Sequence, residues 1–177
     1  MNHLKIFIEL TRLNKPIGFM LLFWPCSWGL VYAYSYNQNT SLFVYYLILF
    51  FLGSVLMRSA GCIFNDIVDK DFDKKVERTK ERPIASGKIS IKLSLIYVII
   101  LCSLAFLILL QFNLFTIFLG LGSMILAFSY PYMKRITYWP QLFLGLTFNW
   151  GIIMAWTSFA NEISFEILIL YVSAIFW

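Results

Sequence analysis

Five stretches of this chain are each about as long and as apolar as a bilayer-crossing helix requires, roughly 20 residues, and that leaves the chain few ways to fold. They run Ile17–Tyr36 (containing Pro25), Leu42–Phe64, Ile91–Leu110, Leu114–Tyr130 and Pro140–Ala160, and a sixth begins near Ser164 and is cut short at Trp177. Inside lipid every backbone N–H and C=O must be paired within the protein, so spans of this length are helices. The expectation is an all-α polytopic transmembrane bundle with five complete spans and a truncated sixth. There is no tandem repeat or low-complexity tract, so residues 1–177 read as one domain.

The placement of charge supports this span count. Charged residues make up 13% of the chain, against about 25% in a soluble domain. Lys5, Arg12 and Lys15 precede the first span. Lys70, Lys74, Lys75, Arg78, Lys80, Arg82, Lys88 and Lys92 lie between the second and third, and Lys134 and Arg135 between the fourth and fifth. If the spans alternate, all of these fall on one side. The connections at Asn37–Ser41, Gln111–Asn113 and Asn161–Glu162 carry no Lys or Arg. Positive loops stay inside, which places the N-terminus in the cytoplasm. The net charge of +5 is therefore a membrane signature, facing anionic lipid or an anionic substrate, and nucleic acid is not expected as a partner. Glu9, Arg12 and Lys15 precede the first span with no small-residue cleavage pattern, so that span is read as retained. Cys26, Cys62 and Cys102 sit in apolar stretches without ligand spacing to one another or to His3, which argues against zinc or a disulfide framework.

One polar cluster stands out, Asn-Asp-Ile-Val-Asp-Lys-Asp-Phe-Asp from Asn65 to Asp73. On a helix continuing from the second span, at about 100° per residue, Asn65, Asp66, Asp69 and Asp73 share a face about 100° wide, Asp71 points away, and Arg58 lies beneath the same face one or two turns earlier. Like charges at this spacing repel. A hard dication relieves the repulsion, and magnesium takes one or two carboxylates together with water and substrate phosphates. Arg78, Lys80 and Arg82 follow, suited to phosphate oxygens, before Pro83 and Gly87 turn the chain back to the membrane. The expected ligand is a magnesium-bound diphosphate.

The order of residues from Arg58 to Ser90 resembles the UbiA superfamily of intramembrane prenyltransferases. The match lies in N-D-x-x-D-x-x-x-D at Asn65–Asp73 and R-T-x-x-R-P-x-x-S-G at Arg78–Gly87. Lys-Pro-Ile-Gly at Lys15–Gly18, Tyr130–Arg135 and Pro140–Gly145 resemble the branch that acts on 4-hydroxybenzoate. The resemblance implies transfer of a polyprenyl group from polyprenyl diphosphate to the ring of 4-hydroxybenzoate, in ubiquinone biosynthesis, with Mg2+ as cofactor. It implies that Asn65, Asp66, Asp69 and Asp73 hold the metal. Asp69, Asp73 and Arg135 become the catalytic candidates, and Arg78, Arg82, Lys134 and Arg135 substrate contacts. Arg58 is implied as a contact to the diphosphate or to a carboxylate. The implied location is a bacterial inner membrane, with a mitochondrial inner membrane the alternative.

The resemblance also implies nine spans and a second acidic motif, D-x-x-x-D, after the sixth. After Asp73 the chain has no Asp, and only Glu77, Glu81, Glu162 and Glu166 remain as acids. The expectation is thus a prenyltransferase domain truncated at its C-terminal side. Three alternatives accompany it: a prenyltransferase for another acceptor such as a naphthoate or haem, an inactive remnant, and a subunit completed by a second chain.

Overall fold

The computed structural model describes residues 3–176, with the side chain of Lys134 excepted. Among these residues the ordered elements are helices. α1 is His3–Thr11, α2 Ile17–Asn37, α3 Thr40–Val68, α4 Lys70–Asp73, α5 Ile91–Leu109, α6 Leu114–Ile136, α7 Pro140–Asn149, α8 Gly151–Ala160 and α9 Phe165–Ile175. Five are long and apolar enough to cross a membrane: α2, α3, α5, the Leu114–Met133 part of α6, and Pro140–Ala160 taken as one span. The expected architecture is therefore present.

Short polar residues set where the spans begin. The side chains of Asn39, Ser90, Asn113 and Ser164 each accept a hydrogen bond from the backbone N–H three residues on, at 3.0, 3.2, 2.9 and 3.3 Å. Each satisfies one of the first-turn donors that a helix leaves unpaired.

Two details depart from the sequence-based boundaries. The fourth span does not end at Tyr130, because α6 continues through Pro131 to Ile136. Proline costs one backbone bond, but membrane helices tolerate that where neighbours cover the gap. The fifth span is divided at Trp150 into α7 and α8. Just before the division, the buried Asn149 side chain donates to the carbonyls of Gly145 at 2.9 Å and Ala174 at 3.1 Å, tying α7 to α9.

α2 lies at the centre, packed against α3 and α8, while α3 also packs against α5. Gly29 brings the α2 backbone against Ile152 of α8, leaving no room for a β-carbon there. Small residues allow this approach, which drives helix association in lipid. Three polar links within the bundle are neutral. Thr116 and Thr157 hydroxyls meet at 3.0 Å, Trp150 Nε1 donates to the Leu119 carbonyl at 3.0 Å, and the Tyr171 hydroxyl to the Leu146 carbonyl at 2.9 Å.

α1 was not expected as a helix. Ile6 and Leu10 recur one turn apart and bury against Ala60 and Ile63 of α3, Ile84 and Ile89 of the following loop, and Val98 and Leu101 of α5. The loop 74–90 is thereby held down on the bundle, with Ile84 fully buried. Gly87 closes it at φ 77°, a left-handed conformation that glycine adopts without cost.

Candidate functional site

The cluster sits where α3 runs out. α3 ends at Val68, and Asp69 leaves helical geometry at φ −88°, ψ 3°, while its N–H still donates to the Asn65 carbonyl at 2.9 Å. α4 resumes for one turn, with the Asp73 N–H donating to the Asp69 carbonyl at 2.8 Å. The continuous helix expected from the sequence is thus interrupted at Asp69. The separation of faces survives. Asn65 Nδ2 donates to Asp69 Oδ2 at 3.1 Å, whereas the Asp71 side chain is 85% exposed and faces Lys74 at 3.6 Å.

Three arginines from three segments converge on these carboxylates. Arg82 Nη1 bridges Asp66 Oδ1 at 3.0 Å and Asp73 Oδ2 at 2.8 Å. Arg12 Nη2 donates to the same Asp66 oxygen at 2.7 Å. Arg135 Nη2 donates to Asp69 Oδ1 at 3.0 Å and to the Val68 carbonyl at 3.2 Å. The Arg135 guanidinium carbon also lies 4.5 Å from the Phe72 ring centroid, within cation–π range. The buried Thr79 hydroxyl donates to the Asp73 carbonyl at 3.0 Å, anchoring the loop to α4.

Burial explains why Asp66 takes two guanidiniums. Its side chain is 3% exposed. An unpaired carboxylate there would lose several kcal/mol of hydration, which only close counter-charges and hydrogen bonds return.

Not every expected residue joins the cluster. Arg78 is exposed and forms no ion pair among the described residues. The Lys134 side chain lies outside the described residues. Arg58 sits deeper in α3, its guanidinium carbon 5.5 Å from the Phe148 ring centroid. Arg12, Thr79 and Phe72 were missed from the sequence. In the sequence Arg12 reads only as a positive flank. The signal it offered is its place three residues before Lys15–Gly18. Its backbone is left-handed at φ 56°, ending α1 as Gln38 and Asn161 end α2 and α8, a common way to close a helix.

The donor set passes one test for magnesium and limits another. All the candidate ligand atoms are hard oxygens from Asn and Asp, which suits that ion. Among the described residues, however, no three acid side chains come together closely enough to enclose an ion. The arrangement fits a metal held by one or two carboxylates, with phosphate and water completing the shell.

Residues 22–177 match the model of the UbiA prenyltransferase family. The chain belongs to this family. A 4-hydroxybenzoate polyprenyltransferase, mitochondrial, of Caenorhabditis elegans is 48% identical over 162 residues, covering 92% of this chain and 45% of the relative. A 4-hydroxybenzoate octaprenyltransferase of Pseudomonas fluorescens is 43% identical over 171 residues, covering 97% and 56%. The chain spans about half the length of the curated relatives it matches. UbiA homologues also share its fold. One from Archaeoglobus fulgidus, solved with DMAPP and Mg2+ bound, superposes with a TM-score of 0.75 at 18% identity over 96% of this chain and 59% of the homologue. Another from Aeropyrum pernix, solved in apo form, gives 0.72 at 26% identity over 89% and 57%. The all-α bundle is thus a UbiA fold.

Proposed function

We propose that this chain forms the diphosphate-binding part of a prenyltransferase that joins a polyprenyl group to the ring of 4-hydroxybenzoate, in ubiquinone biosynthesis. The observation that carries the reading is the carboxylate face Asn65–Asp66–Asp69–Asp73 interlocked with Arg12, Arg82 and Arg135 at one end of the bundle. Residues 1–177 act as one domain, with that end on the cytoplasmic side of a bacterial or mitochondrial inner membrane. The names of the relatives favour 4-hydroxybenzoate over a naphthoate or haem as acceptor.

In this reading, Asn65, Asp66, Asp69 and Asp73 form the face from which one or two carboxylates would hold Mg2+, with the diphosphate and water completing its shell. An ion bound there would supply positive charge to the departing diphosphate. Arg82 and Arg135 contact the phosphate oxygens, with Arg12 beside them. Asp69 and Asp73 are the carboxylates that answer the arginines once the diphosphate has gone. Arg58, about 10 Å of helix rise below Asn65, takes the carboxylate of the acceptor. That places the acceptor ring beneath the diphosphate. The prenyl carbon separates from the diphosphate oxygen and bonds to the ring carbon ortho to the hydroxyl, and that carbon's proton passes to the released diphosphate. The surrounding Phe and Leu side chains keep water away from the prenyl tail.

The test is a membrane assay of the chain with Mg2+, a polyprenyl diphosphate and labelled 4-hydroxybenzoate. Product that needs Mg2+ and disappears in Asp69→Ala is expected. Product that survives Asp69→Ala contradicts the site. No product from the unmutated chain contradicts activity of these residues on their own.

A further inference from the structure

Among the described residues, Arg58 is the one basic side chain more than a helical turn inside a membrane span. A cation at that depth is costly and marks function when it is kept. Its neighbours do not neutralise it. Among the described residues its N–H groups have no hydrogen-bond partner and no carboxylate lies within ion-pair distance.

The groups packed against it are carbon from two other helices, with the phenol of Tyr130 on α6 close enough to feel its charge. On α2, Gly18 approaches so closely that a β-carbon there would lie 2.9 Å from Arg58 Nε, 3.4 Å from Nη2 and 3.5 Å from Cζ. Gly18 belongs to the first turn of α2, the positive end of that helix, so it offsets none of the charge. On α7, the Phe148 ring centroid lies 5.5 Å from Cζ, within reach of a cation–π contact. The next residue, Asn149, is clamped to Gly145 and Ala174, which fixes the Phe148 backbone at the α7–α8 division. The guanidinium is thus steadied by a ring and by bare backbone, with the Tyr130 phenol nearby, and no hydrogen bond among the described residues uses its donors.

We propose that Phe148 and Gly18 are positioning residues for acceptor selection: they hold the Arg58 guanidinium so that its donors recognise an aromatic acid through its carboxylate and discriminate against a neutral analogue. The inference rests on the assignment of Arg58 to the acceptor carboxylate. A guanidinium restrained beforehand loses less freedom on pairing. Removing the ring releases it, and with it the preference for a charged ligand.

The experiment is equilibrium binding of 4-hydroxybenzoate and of neutral 4-hydroxybenzamide to the purified full chain in detergent. The quantity read is the ratio of the two affinities. Phe148→Leu should lower that ratio by about two- to thirtyfold, with amide binding unchanged. Phe148→Tyr, which keeps a ring, should restore it. Gly18→Ala, which crowds Nε, should lower it as well. A ratio untouched by Phe148→Leu and Gly18→Ala, yet abolished by Arg58→Gln, overturns the positioning role and leaves the acceptor assignment standing. Loss of both ligands together in Phe148→Leu means a purely structural role and also overturns it. A wild-type chain without preference, unchanged in Arg58→Gln, removes the acceptor assignment and this inference with it.

Discussion

The two ends of the bundle solve the same problem with different chemistry. Both must satisfy polar groups where helices leave the apolar layer. At the end formed by Asn113, Ser164 and the α8 C-terminus, the capping side chains are neutral and mostly local, and the only charges among the described residues there are the exposed Glu162 and Glu166. Asn113 caps α6 and donates to the Thr157 carbonyl at 2.7 Å, and Ser164 caps α9. At the other end the groups are charged and come from distant parts of the chain, with Arg12 reaching Asp66 across 54 residues and Arg135 reaching Asp69 across 66. Neutral caps are sufficient to end a helix. A buried network of opposite charges is a poor way to gain stability, so its presence at one end alone points to a ligand there.

Arg82→Gln should break this contrast most severely. It leaves Asp66 and Asp73 short of a counter-charge, at a cost of about 3 kcal/mol, read as the largest fall in thermal midpoint in detergent. At the neutral end, Asn113→Ala should cost about 1–2 kcal/mol through the lost cap, with prenyl diphosphate binding unchanged. A binding defect in that variant would erase the distinction between the ends. Thr79→Val removes the buried hydroxyl that holds the loop to Asp73 and should cost about 1 kcal/mol. Asp71→Asn, on the exposed side of α4, should stay within about 0.5 kcal/mol of wild type, and a larger loss would place Asp71 in the network.

The spans were legible because lipid demands long apolar helices, and the carboxylate face because Asn65, Asp66, Asp69 and Asp73 follow helical spacing up to the point where α3 stops. What was illegible depends on tertiary contact. α1 is a short amphipathic segment whose Ile6 and Leu10 acquire meaning only against Ile84 and Val98. Local propensity predicts neither the continuation of α6 through Pro131 nor the division at Trp150, where the Asn149 side chain takes the Gly145 carbonyl. Arg12 resembled any positive flank, because its partner lies far along the chain. Arg78 had the same motif credentials as Arg82, but the turn places only Arg82 over Asp66 and Asp73.

In the proposed function the Asp69 side of this cluster, and not its acidity in general, binds the diphosphate. Binding of a labelled, hydrolysis-resistant prenyl thiodiphosphate in the presence of Mg2+ tests it directly, comparing the wild-type chain with Asp69→Ala and Asp71→Ala. Asp69→Ala should weaken binding by about tenfold or more, and Asp71→Ala should leave it within about twofold. Equal losses in the two variants, or none in Asp69→Ala, would contradict the account.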